Sequence, residues 1–150
     1  MDLRDGDRAG SGSGGAEVNL ACVPPAMAGE LMPLAHRFVA SAIERIGLSD
    51  LQDVVSDVLS GRSLLWLAVD DCGVIHGAGV TELVREPTGT VCVIVAWGAD
   101  DQKRCAPLLT TIEQFARDEC CKSVRIIGRD GWSRVLPDYQ RKAVILERQL

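Results

Sequence analysis

Several signatures that would place a chain quickly are missing from these 150 residues, and each absence removes a class of function. No uninterrupted apolar run approaches the roughly 18 residues that a membrane-spanning helix needs. The opening MDLRDGDRAGSGSGG has no apolar core of a secretory leader, so no membrane partner is expected. None of the six cysteines (Cys22, Cys72, Cys92, Cys105, Cys120, Cys121) forms a C-x-x-C pair, and only His36 and His76 could join them. A zinc-site spacing is therefore absent and no metal is expected. Aromatic side chains are only 4% of the chain, and no basic stripe exists. Residues 1–99 carry 6 basic and 13 acidic side chains and residues 100–150 carry 10 and 8, giving -7 and +2 within the overall -5. So mild a local excess can hold one phosphate-bearing ligand but cannot neutralise a nucleic-acid backbone, so no nucleic acid is expected either.

What is present is apolar material for a core: 47% hydrophobic against 25% charged side chains, in a length that fits one domain. Such a chain buries roughly 70% of its unfolded surface without disulfides, and the cysteines read as buried free thiols of a reducing, cytoplasmic compartment. Residues 1–16 are charged and then Gly/Ser-rich, with no apolar period to repay ordering, and are expected to form a disordered tail before a domain spanning 17–150.

Within the domain, Val18 to Val23 reads as a strand stopped by Pro24-Pro25. From Pro33, the apolar positions Leu34, Phe38, Val39, Ala42, Ile43 and Ile46 predict a helix ended by Gly47. Ser49 and Gln52 have capping-box spacing before Leu51, Val54, Val55, Val58 and Leu59, which predicts a second helix closed by Gly61. The stretch from Ser63 to Ala99 holds three apolar runs parted by Asp70-Asp71-Cys72-Gly73 and Pro87-Thr88-Gly89, an antiparallel meander. A helix over Leu108 to Ala116, a strand over Ser123 to Ile127, a helical turn from Trp132 towards Tyr139 and a strand at Ala143 to Leu146 complete the pattern. Strands and helices in this order give a mixed α+β fold of about six mainly antiparallel strands and about four helices.

This order resembles that of the GNAT N-acetyltransferase superfamily over residues 17–150. Within it the chain is similar to small GNAT-like proteins of bacteriophages, through Ser60-Gly61 before Leu65-Trp66, Val80-Thr81-Glu82-Leu83, and the run Gly128-Arg129-Asp130-Gly131-Trp132-Ser133-Arg134-Val135-Leu136. The resemblance implies acetyl-CoA or coenzyme A as cofactor, held after the fourth strand by Trp97, Gly98, Gln102, Lys103, Arg104, Cys105 and Ala106. The family's loop there is Q/R-x-x-G-x-G/A, whose glycines let backbone N–H groups approach a diphosphate at a helix start. In this chain the loop is Gln102-Lys103-Arg104-Cys105-Ala106-Pro107, so Cys105 and Pro107 replace both glycine positions and proline removes a donor. The resemblance further implies Glu82 as general base, a carboxylate on a central strand, and Tyr139 as general acid, displaced about a turn from the family's usual place.

Each of these residues has a plainer role open to it. Glu82 can be a solvated strand-face residue, Tyr139 a half-buried ring with its hydroxyl at the rim, and His76 an exposed polar side chain. Trp66 and Trp97 can be core or groove wall, and Arg129 and Arg134 can form ion pairs, for instance with Glu82, in place of an anion clamp. Cys120 and Cys121 at a helix end are expected to be inert. Two functions follow: acetyl transfer to an amine substrate, or a catalytically inactive phage component that binds a phage or host protein, in the host cytoplasm or on the virion.

Overall fold

The computed structural model describes residues 17–128 and 131–150. The expected tail 1–16, and Arg129 and Asp130 of the GRDGW run, lie outside the described residues. Five strands form one sheet in the order β1 (Val18–Cys22), β2 (Leu64–Asp70), β3 (Ile75–Glu86), β4 (Gly89–Ala99) and β5 (Ser123–Ile126). β1 to β4 pair antiparallel and β5 joins β4 in parallel, from Val91 opposite Ser123 to Ile94 opposite Ile126.

α1 (Ala28–Ile46) begins five residues ahead of the expected Pro33. Ala28, Met32 and Ala35 extend the buried stripe backwards, and a 3-10 turn at Pro25–Met27 leads into it. Gly47, with a positive φ of 72°, ends α1 as expected. α2 (Leu51–Ser60) is capped by Asp50 in place of Ser49, its carboxylate accepting from the Gln52 N–H at 3.3 Å. Both helices cover one face, where Val39, Ala35, Phe38, Val58, Leu65, Val80 and Ala96 share a core.

The other face is covered by α4 (Leu109–Asp118) and the single-turn α5 (Trp132–Val135). Ile94, Leu109, Ile112, Cys105, Trp66 and Trp97 are packed there. The Trp66 indole donates to the Thr81 hydroxyl at 2.9 Å, which satisfies both polar groups inside the core, and its ring meets Phe115 edge-on at 5.5 Å. Gly128 is required here, since a Cβ at that position would stand 2.2 Å from the Trp132 ring.

Three expectations need correction. The segment Gln102–Cys105 is a helical turn, α3, continued by a 3-10 turn at Ala106–Leu108 where Pro107 lacks the N–H for a regular helix. Ala143 to Leu146, expected as a last strand, carries no ladder, so the sheet has five strands among the described residues, close to the expected number of about six. Cys22, Cys72 and Cys120 are exposed thiols, and only Cys92 and Cys105 are fully buried. No described helix is long and apolar enough to cross a membrane.

Candidate functional site

The sheet opens at the end of β4. Val80 faces Ala96 and Thr81 faces Ile94, so Val95 is an extra residue, a β-bulge. Val95 and Ala96 consequently lie on the α1 face, while Ile94 and Trp97 lie on the α4 face. The parallel ladder to β5 stops at the same level: Ile127 donates to the Ile94 carbonyl at 3.4 Å, and β4 continues to Ala99 with no β5 partner among the described residues. β4 still pairs with β3 there, so its edge towards β5 is open.

On the α1 and α2 side of the bulge lies a concavity of about 280 Å³ lined by Leu48, Asp50, Asp53, Asp57, Glu82 and Val95, with Ser49, Val54 and Ser63 completing it. Asp57 is paired with Arg62 at 2.7 Å and Asp50 caps α2, whereas among the described residues Asp53 and Glu82 have no ion pair. Glu82, opposite Val93 in the ladder, thus places a half-buried carboxylate beside the opening.

Below the opening, Trp97 is buried and donates its indole N–H to the Gln102 side chain at 3.2 Å. Gly98 is where α1 crosses β4; a Cβ there would lie 2.4 Å from the Phe38 carbonyl oxygen. Asp100 pairs bidentately with Arg37 at 3.0 and 3.1 Å, and this hydrogen-bonded guanidinium holds its carboxyl below the usual range. The exposed Asp101 caps α3, its carboxylate accepting from the Arg104 N–H at 3.2 Å. The Cys105 N–H goes to the Asp101 carbonyl and the Ala106 N–H to Gln102. Lys103 is exposed and Arg104 half-buried, while Cys105 and Ala106 point into the core and burial pushes the Cys105 thiol up. Lys103, Arg104 and the first-turn N–H groups of Gln102 and Lys103 are the donors that could hold a diphosphate here, with the Asp101 carboxylate seated on the Arg104 N–H beside them.

Tyr139 stands on the α4 face, on the other side of the sheet from Glu82. Its hydroxyl donates to Glu113 at 2.7 Å, and burial together with that carboxylate raises its pKa well above the ordinary phenol value. The two residues expected as base and acid are thus not brought together. Their alternation and spacing could place each on an element, but nothing local in the sequence relates β3 to the segment after α5.

His76, expected as exposed, is half-buried against Asp70 at 2.8 Å. Asp70 also accepts from the N–H groups of Cys72 and Val74, and these bonds, that of His76 first, hold its carboxyl low. Glu86 pairs with Arg125 at 2.8 Å and Lys122 at 3.2 Å.

No protein-family model matches the chain, and no curated protein resembles it in sequence. Solved structures do resemble it in fold. An aminoglycoside acetyltransferase from an uncultured soil metagenomic sample, in complex with sisomicin, superposes with a TM-score of 0.64 at 13% identity, over 89% of this chain and 97% of that one. A predicted acetyltransferase from Clostridium acetobutylicum with acetyl-CoA gives 0.60 at 12%, over 88% and 96%. A ribosomal-protein-alanine N-acetyltransferase from Brucella melitensis gives 0.58 at 11%, over 88% and 99%. At such identities the likeness is one of architecture: the chain has the GNAT fold.

Proposed function

We propose that the chain is an acetyl-CoA-dependent N-acetyltransferase whose acceptor, a cationic amine, enters from the α2 face of the sheet. The observation that carries this reading is the coincidence at Val95 of the β4 bulge, the end of the β5 ladder and the acid-lined concavity with Glu82. Lys103, Arg104 and the N–H groups of Gln102 and Lys103 would hold the cofactor's phosphates. Bound there, acetyl-CoA supplies an activated acyl group. Asp53, without an ion pair among the described residues, attracts and orients the cation, and Glu82 accepts the proton that the amine must lose before it can attack. Tyr139 can act as an acid only after giving up its bond to Glu113.

Calorimetric titration with acetyl-CoA and with coenzyme A tests the reading first. Binding that weakens in Lys103→Ala and Arg104→Ala, followed by amine acetylation that falls about 10²–10⁴-fold in Glu82→Gln, supports it. The absence of heat and of any thermal shift with either compound overturns it.

A second reading is favoured by one observation, the Asp101 carboxylate seated on an N–H of the loop where a phosphate would otherwise bind. Under it, the chain is a GNAT-fold binding or virion-associated component of a phage, without catalysis.

A further inference from the structure

We propose that the acceptor is a short diamine, one ammonium held between Ser63 and Glu82 and the other by Asp53. This inference rests on the transferase reading, in which Glu82 faces the acceptor amine. Its independent support is Ser63. That residue is only 5% exposed, and its hydroxyl has no partner among the described residues. Buried hydroxyls are ordinarily hydrogen-bonded, and no side-chain oxygen or nitrogen sealed from solvent among the described residues lacks a bond. The Ser63 hydroxyl therefore opens into the concavity that Ser63 lines, as a free donor and acceptor.

Backbone register sets this hydroxyl beside Glu82. The last pair of the β2–β3 ladder is Leu64 with Thr81, and one step further Ser63 stands across from Glu82. Leu65 and Val80, the pair on the other side of that last one, both belong to the α1-face core. Side chains alternate along a strand, so Ser63 and Glu82 share that face. Opposite positions of an antiparallel pair bring their Cβ atoms to roughly 4.5–5.5 Å, a gap that one ammonium closes with an N–H to each oxygen.

The four carboxylates of the concavity are not equivalent. Asp57 gives one oxygen to Arg62 in two contacts, at 2.7 and 3.0 Å, and Asp50 caps α2. Asp53 and Glu82 have no ion pair among the described residues; Asp53 is exposed at the rim and Glu82 is half-buried. Two carboxylates without a cation, inside about 280 Å³, are complementary to two positive charges. Their spacing follows from α2. The Ser63 N–H donates to the Asp57 carbonyl at 3.0 Å, and Asp53 lies four residues before Asp57 on that helix. Four residues advance a helix by about 6 Å, the nitrogen-to-nitrogen reach of a chain of about four methylene groups. Leu48, Val54 and Val95 supply an apolar wall for that chain.

The test follows the carbon-13 resonance of the Glu82 carboxylate, assigned through Glu82→Gln, in the full chain without cofactor and at fixed ionic strength. It is titrated with 1,4-diaminobutane and, separately, with butylamine. A saturable shift is expected with both, the diamine binding about fivefold tighter. Ser63→Ala should weaken diamine binding about tenfold, Ser63→Thr should restore it, and Asp53→Asn should erase the preference for the diamine. The Ser63 hydroxyl makes no bond among the described residues, so Ser63→Ala should keep the far-ultraviolet spectrum and melting temperature of the parent chain. The proposal is overturned if Glu82 does not respond, if the parent chain binds the two amines equally, or if Ser63→Ala changes nothing. No arm contains acetyl-CoA, so the two failures are separable. A chain that binds the diamine but not acetyl-CoA keeps the diamine site and loses the transferase reading; one that binds acetyl-CoA but not the diamine loses this proposal alone.

Discussion

On the α1 and α2 face of the sheet the core is aliphatic apart from Phe38 and its rim is acidic, whereas the α4 face packs Trp66, Trp97 and Phe115 and carries the thiols and the phenol. Burial acts on the two sets of ionisable groups differently. It pushes the Cys92 thiol up to about 12 and raises Cys105 and Tyr139, so all three stay neutral at pH 7. The carboxylates on the opposite rim keep contact with water or with cations. Asp50, Asp53, Asp57 and Glu82 thus line one face, and hydrophobic packing dominates the other. The opening at Val95 is where the two environments meet.

The largest test of this contrast is Ile112→Ala on the α4 face, where the side chain is fully buried. It should cost about 2–5 kcal/mol in urea unfolding, while Leu59→Ala on α2, 53% exposed, should change stability by less than about 0.5 kcal/mol. Equal effects would mean that the α2 stripe is covered in solution. Next comes Gly98→Ala, which sets a methyl group against the Phe38 backbone and should lower stability by about 1–3 kcal/mol. A melting temperature unchanged from the parent chain would show that α1 can slide on β4.

Asp101→Ala should have effects of opposite sign on two measurements. Loss of the cap costs about 1 kcal/mol, yet titration with coenzyme A should show tighter binding, since the competing carboxylate is gone. Weaker binding instead would make Asp101 a contributor to the site. The smallest expected effect is spectroscopic. Tyr139 is the only tyrosine, so phenolate absorbance during an alkaline titration reports on it alone. Its folded pKa lies above the unfolded value, so the associated stability is intact below about pH 10 and is lost as pH rises towards the folded pKa. Phenolate should appear late and together with unfolding, and earlier in Glu113→Gln; a normal phenol titration in the folded chain would contradict the bond to Glu113.

The legibility of the sequence divides along similar lines. Local periods were sufficient for α2, for the meander and for β5, because their buried faces repeat every 3.6 or 2 residues and glycine or proline marks their ends. The start of α1 was missed because Pro33 looks like a first-turn residue, although the buried stripe of Ala28 and Met32 continues before it. Ala143 to Leu146 is β-prone but forms no strand, since a ladder depends on the neighbour as much as on the segment. For the site, Glu82 and the Gln102 loop are what the family resemblance implies, and the structure places Glu82 at the concavity beside Val95 and the loop in α3. The Val95 bulge, the Asp101 cap and the Tyr139–Glu113 bond depend on register and long-range packing, which no short window contains.

The bond from the Trp97 indole to the Gln102 side chain couples an intrinsic fluorophore to the first residue of the loop. Its N–H partner and its exclusion from solvent together set the colour of its emission, so a shift of Gln102 becomes an optical signal. Trp66, held by Thr81 deep in the same core, provides a nearby internal reference against which that change can be read.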